Sequence, residues 1–123
     1  MRLNIKATGM ELTGALRQYV ENKVGYLEKF VNPNDASAIA EVEISKVSNH
    51  HKSGDIFRAE INLTRAGTKL VREEVTDEDM YAAIDMVKDA LIETLSSEAN
   101  KKITLFRKGG RAIKNLIKGW KSN

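Results

Sequence analysis

The 123-residue sequence contains no cysteine. Disulfides, thiolate metal sites and a sulfur nucleophile are therefore excluded, and the pattern is compatible with a reducing compartment. Proline occurs once, in Asn32-Pro33-Asn34-Asp35, where it marks the end of a helix and a turn. Aromatic residues make up 6% of the chain, too sparse for a visible stacking platform on a sheet. No apolar run has the length of a membrane span, and the opening MRLNIKATGM lacks the apolar centre of a secretory signal. His50 and His51 are adjacent in the loop 48–55, with no further His or any Cys to complete a metal site and no recognisable Ser or acid partner for catalysis. No glycine-rich phosphate loop follows a strand, since Gly109-Gly110 comes after a helix end. The acidic groups Glu73-Glu74 and Asp77-Glu78-Asp79 flank a helix start, where capping explains them better than acid–base chemistry. These absences predict a cytoplasmic protein that is not an enzyme, without cofactor, metal or small-molecule substrate.

What is present is periodic. In residues 77–95, Met80, Ile84, Val87, Leu91 and Leu95 form one apolar stripe at helical spacing. Thr76 and Asp79 are spaced as a capping box, with Asp77 to Asp79 adding negative charge at the start. A first helix is expected from Thr13 to about residue 30, with Leu16, Val20, Val24, Leu27 and Val31 inward. Gly25 weakens its interior by about 1 kcal/mol relative to Ala. Strands are expected at 2–8, 38–47, 56–64 and 69–75, because apolar and polar residues alternate there, least regularly in the last. The turn 65–68 holds Gly67, available for a positive φ. The order β-α-β-β-β-α, with short loops joining the last three strands as an antiparallel meander, gives an α+β two-layer sandwich. Its four-stranded sheet is covered on one face by two helices.

Charge divides the chain. Residues 1–100 carry 12 Lys/Arg and 17 Asp/Glu, whereas residues 101–123 carry eight Lys/Arg and no acid. A basic tail on an acidic body points to a polyanionic partner. The second helix continues towards Phe106, and Gly109-Gly110 ends it. Beyond lies a short basic amphipathic helix with Ile113, Leu116, Ile117 and Trp120 on one face. Residues 1–106 are thus expected to form the folded domain and 107–123 a basic amphipathic tail. Tyr19, Tyr26 and Tyr81 lie on the helices and are expected in the core or at its rim.

The residues also carry a resemblance. DMYAAID at 79–85, LNI at 3–5, MELTGALRQYVENKVGYLEKF at 10–30 and GDIFRAEINL at 54–63 resemble the ribosome hibernation promoting factor family, also called ribosome-associated inhibitors or sigma-54 modulation proteins. The likeness covers 1–106. It implies a fold similar to double-stranded RNA-binding domains and a non-enzymatic protein. It further implies binding in the messenger and transfer RNA channel of the small ribosomal subunit, under stress or in stationary phase, as a monomer off the ribosome. The implied contacts to 16S-type ribosomal RNA are Lys23 and Lys29 of the first helix and Lys88, Lys101 and Lys102 of the second. Short members carry several basic residues in the second half of the last helix, but DALIETLSSEA at 89–99 has none. The basic load is therefore expected to have shifted to the tail, adding Arg107, Lys108, Arg111, Lys114 and Lys118 as phosphate contacts. Long members have an added C-terminal dimerisation domain, so this chain is expected not to pair ribosomes by itself.

Two other readings compete. One is a module whose basic amphipathic tail docks on an anionic membrane or a protein groove. The other is a general binder of duplex RNA, which the acidic body argues against.

Overall fold

A computed structural model describes residues 1–47 and 54–107, with side chains to residue 102. Its elements are β1 (Arg2–Thr8), α1 (Gly14–Val24), a 3-10 segment (Gly25–Phe30), β2 (Ile39–Val47), β3 (Ile56–Thr64), β4 (Val71–Asp77) and α2 (Met80–Arg107). The chain divides into two compact units, Met1–Ile92 and Glu93–Asn123. The sheet, α1, the 3-10 segment and the start of α2 belong to the first.

The four strands lie in the order β1-β2-β3-β4. β1 runs parallel to β2, with α1 and the 3-10 segment as the crossover that parallel pairing requires. β2, β3 and β4 form the expected antiparallel meander. Gly67 takes φ 74° in the turn between β3 and β4. A second tie comes from Asp35, whose carboxylate accepts the backbone N–H of Ala66 at 2.8 Å and that of Ser37 at 2.9 Å. The Ala66 bond first, then the Ser37 hydroxyl, hold this carboxyl below its usual range.

One sheet face is apolar because side chains alternate. Ala40, Val42, Ile44, Ala59, Ile61 and Leu63 are buried there. Both expected helical stripes are buried in full: Leu16, Val20, Val24, Leu27 and Val31, then Met80, Ile84, Val87, Leu91 and Leu95. Each large side chain among them contributes about 1.5–3 kcal/mol on burial.

Several boundaries differ from expectation. The first helix is α-helical only to Val24, then tightens into 3-10 winding. Gly25 gives the α form little support, and Val24, Leu27 and Phe30 follow steps of three, which suit the tighter coil. β4 begins at Val71 rather than Lys69 and runs to Asp77. Thr76 therefore pairs with Arg58 inside the sheet and does not cap α2. Asp79 caps instead: its Oδ1 accepts from Tyr81 N at 3.1 Å and its carbonyl from Ala83 N at 2.9 Å. Thr13 caps α1 as expected, through Leu16 N at 3.1 Å. The loop histidines and Lys52 lie outside the described residues, as does Gly109-Gly110. Among the described residues, no helix is long and apolar enough to cross a membrane, and no group of three or more His, Cys, Asp or Glu is placed to hold a metal ion.

The outer sheet face is charged and self-neutralised. Lys6, Glu43, Glu60 and Glu74 stand in one cross-strand row. Like charges directly opposite are destabilising, and two arginines from the flanking rows resolve the conflict. Arg58 donates to Glu74 at 2.5 Å, to Glu43 at 3.3 Å, and also to Glu60. Arg72 donates to Glu60 at 2.7 Å and to Glu74 at 2.9 Å. Arg72, ahead of Asn62 and the Arg58 charge, holds the Glu60 carboxyl below its usual range. Arg58 does the same for Glu74, and its own guanidinium is pushed up, mainly by that bond.

Replacing Arg58 by Met should cost about 2 kcal/mol at neutral pH, the scale of lost charge-assisted hydrogen bonds. In the native protein the depressed carboxyl values add stability above the usual carboxylate range, which is lost as pH falls through it. In Arg58→Met the facing carboxylates raise one another's values, so acid relieves the variant. Urea unfolding between about pH 6 and pH 3 should show the gap between the two proteins narrowing as pH falls.

Candidate nucleic-acid interface

The two helices meet along a polar and aromatic seam beside the apolar stripes. On α1 and the 3-10 segment it is formed by Tyr19, Lys23 and Tyr26, at helical steps of four and three. On α2 it is formed by Tyr81, Asp85 and Lys88, at the same steps. Such spacing puts each trio on one side of its helix.

Asp85 is the centre of the seam. Its Oδ2 accepts the Tyr19 hydroxyl at 2.6 Å, and Lys23 Nζ lies 3.1 Å from its Oδ1. The Tyr19 and Tyr81 rings meet edge to face, with centroids 4.8 Å apart. Lys23 Nζ also sits 5.2 Å from the Tyr19 ring centroid. The Tyr19 hydrogen bond, then Lys23, hold the Asp85 carboxyl below its usual range. The same bond, helped by burial, pushes the Tyr19 phenol up to about 12.

Lys88 lies further along. Its Nζ is 5.2 Å from the Tyr26 ring centroid and 2.6 Å from Asp89 Oδ1. The side chain is only 14% exposed, so its stem is covered and its head localised. Lys29 Nζ lies over the Phe30 ring at 5.3 Å.

Of the candidate cations, then, Lys23 and Lys88 enter one seam, each beside a carboxylate of α2. Lys29 is exposed on the 3-10 segment, and Lys101 and Lys102 are exposed near the end of α2. Arg107 is the last residue of α2, and Lys108, Arg111, Lys114 and Lys118 lie outside the described residues. Two seam residues are not themselves cations. Asp85 is the acceptor that organises them. Tyr26 was expected in the core or at its rim, yet it is 57% exposed. Its position between Val24 and Leu27, off the apolar stripe, was the available signal.

Comparison with known proteins decides the family. The model of the family described as sigma 54 modulation protein / S30EA ribosomal protein matches residues 3–103. The chain belongs to this family. It is 33% identical over 111 residues to the ribosome hibernation promotion factor of Bacillus subtilis, covering 89% of this chain and 54% of that protein. It is also 33% identical over 91 residues to the ribosome hibernation promotion factor of Lactococcus lactis, covering 74% of this chain and 45% of the relative. The chain thus spans about half the length of the curated relatives it matches. Among solved structures, the N-terminal domain of Thermus thermophilus Protein Y matches with a TM-score of 0.63 and 32% identity, over 77% of this chain and 96% of that one. Membership of the S30EA family agrees with the four-stranded α+β fold and with the motif at 79–85.

The seam has a pH window. The depressed Asp85 value adds stability above the usual carboxylate range, lost as pH falls through it. The raised Tyr19 value adds stability below the ordinary phenol value, lost as pH climbs from 10.0 to about 12. Asp85→Ala should cost about 1 kcal/mol, a charge-assisted bond discounted for partial exposure. It should also bring one tyrosine titration, absent in Tyr19→Phe, down towards the ordinary phenol range. Ultraviolet absorbance during alkaline titration checks this.

Proposed function

We propose that this chain binds the small ribosomal subunit through 16S-type ribosomal RNA, occupies the messenger and transfer RNA channel, and blocks translation by occlusion. Stress or stationary phase is when idle ribosomes would be held in this way. The observation that carries the reading is the contrast between the two faces of the fold. On the outer sheet face, Arg58 and Arg72 are committed to glutamates. The helix side instead gathers Lys23 and Lys88, each with one carboxylate of α2 beside it, and exposed Lys29 near aromatic rings. Family membership and relatives named ribosome hibernation promotion factors support the same partner. No reacting group is needed, since several phosphate contacts and a shape that fits suffice. The protein acts in this reading in the cytoplasm, without a cofactor and as a monomer off the ribosome.

In this reading residues 1–106 form the ribosome-binding domain and 107–123 extend it. Lys88 faces Asp89 and Lys23 faces Asp85, so a phosphate must compete with carboxylates for both. That competition favours a division of labour in which Lys101, Lys102, Arg107, Lys108, Arg111, Lys114 and Lys118 supply much of the phosphate neutralisation.

Binding to purified small subunits should weaken with salt at a log–log slope of roughly −4 to −5, as for about six neutralised phosphates. A flat dependence would oppose the proposal. Deleting 107–123 should make that slope shallower and weaken co-sedimentation with subunits at least about tenfold near 0.15 M salt. Undiminished co-sedimentation would refute the role of the tail, and capture by anionic liposomes without subunit binding would favour a membrane module instead.

A further inference from the structure

The exposed ring of Tyr26 is not explained by folding. Its neighbours Val24 and Leu27 are buried, whereas Tyr26 is 57% exposed on the 3-10 segment. The other seam tyrosine of this helix is used differently: the Tyr19 hydroxyl is bound to Asp85 and its ring is packed against Tyr81. Beside Tyr26, Gly25 is exposed, and a Cβ built on it would meet nothing within 4 Å. Gly25 and Tyr26 line an open hollow together with Tyr19, Asn22 and Lys23. Lys88 Nζ stands over one face of the ring, 5.2 Å from its centroid, beside Asp89, so a stacked base would use the opposite face.

A flat exposed ring, an open hollow beside it and a localised cation are the components of a site for an unpaired nucleobase. Stacking on an aromatic ring is the sequence-tolerant way to hold such a base, and a neighbouring ammonium suits the phosphate attached to it. We infer that Tyr26 is a stacking platform for one unpaired RNA base, with Lys88 placed to meet the phosphate of that nucleotide. The inference rests on the ribosome-binding reading for its RNA and adds a contact that phosphate neutralisation does not supply. It makes the ring, rather than charge alone, contribute to affinity. It also selects single-stranded or looped RNA over a regular duplex, whose bases are already stacked.

The ring and its charge neighbour separate cleanly by substitution. Tyr26→Phe keeps the flat ring, and Tyr26→Leu keeps apolar bulk without it. Tyr26→Trp keeps a ring and adds a fluorophore, read as the difference from the wild-type emission of Trp120. With small ribosomal subunits, Tyr26→Phe should bind as wild type. Tyr26→Leu should bind on the order of tenfold more weakly, with an unchanged salt slope because no charge is lost. Lys88→Gln should instead make the slope shallower, by up to about 1, since Asp89 already shares this charge. The added emission of Tyr26→Trp should be quenched by subunits and by a short oligoadenylate at low salt.

Equal binding by Tyr26→Leu and wild type would overturn the inference. So would a lowered melting temperature that accounts for the loss, or an emission shift without quenching, the sign of a protein contact. If wild-type protein fails to bind subunits, the ribosomal reading falls; oligoadenylate quenching then still supports the stacking site, and its absence removes that as well.

Discussion

The Asp85 carboxylate connects two helices that burial alone would leave free to slide. Apolar stripes fix which sides of α1 and α2 face inward, but hydrophobic contact is not directional. The hydroxyl that this carboxylate accepts at 2.6 Å is directional, and the ion pair with Lys23 at 3.1 Å adds to it. It sets the register of Tyr19 and Lys23 against α2, and through that register the positions of Tyr26 and Lys88 one to two turns further on. The charge presented to a partner is thus a consequence of packing. The same acid also offsets the cation it positions, since Lys23 is ion-paired with its own anchor.

An opposite solution operates on the far side of the sheet. There the strand register brings Glu43, Glu60 and Glu74 into one row, and Arg58 and Arg72 are drawn into contacts shared among these carboxylates, which offset their repulsion. Across the described strands, Arg2, Lys6, Arg58 and Arg72 on that face are matched by Glu41, Glu43, Glu60 and Glu74. A polyanion approaching this face would meet no net excess of positive charge. The sandwich therefore has one face saturated by internal ion pairs and one side where cations sit beside aromatic rings.

Much of this was legible in the sequence, for a physical reason. Periods of two and of 3.6 report which side chains are inward, so both helical stripes and the alternation in β2 and β3 follow directly. Boundaries were harder, because they depend on partners far along the chain. Thr76 has the spacing of a cap, but Arg58 across the sheet claims it as a strand residue. Residues 25–30 continue the helical stripe, and only the winding changes. The outer face was legible as polar but not as neutral, since the arginine contacts depend on the cross-strand register. At the interface, cations announce themselves by type. Asp85 and Tyr26 do not, because one acts through its neighbours and the other through its exposure.

Occlusion, the mode of action proposed for this chain, asks for a complex tight enough to compete and loose enough to reverse. Phosphate contacts alone yield affinity that is steeply dependent on salt. On this fold the seam cations are already engaged by Asp85 and Asp89, so each phosphate contact exchanges one carboxylate for another anion rather than neutralising a bare charge. The gain per contact is correspondingly small. If the proposal holds, affinity must come from number, for which the sequence of 101–123 offers eight cations, and from contacts that salt does not screen. An exposed ring on the helix side is of the second kind. In the proposed reading, such an arrangement would let a chain with an acidic body reside on RNA without being held there irreversibly.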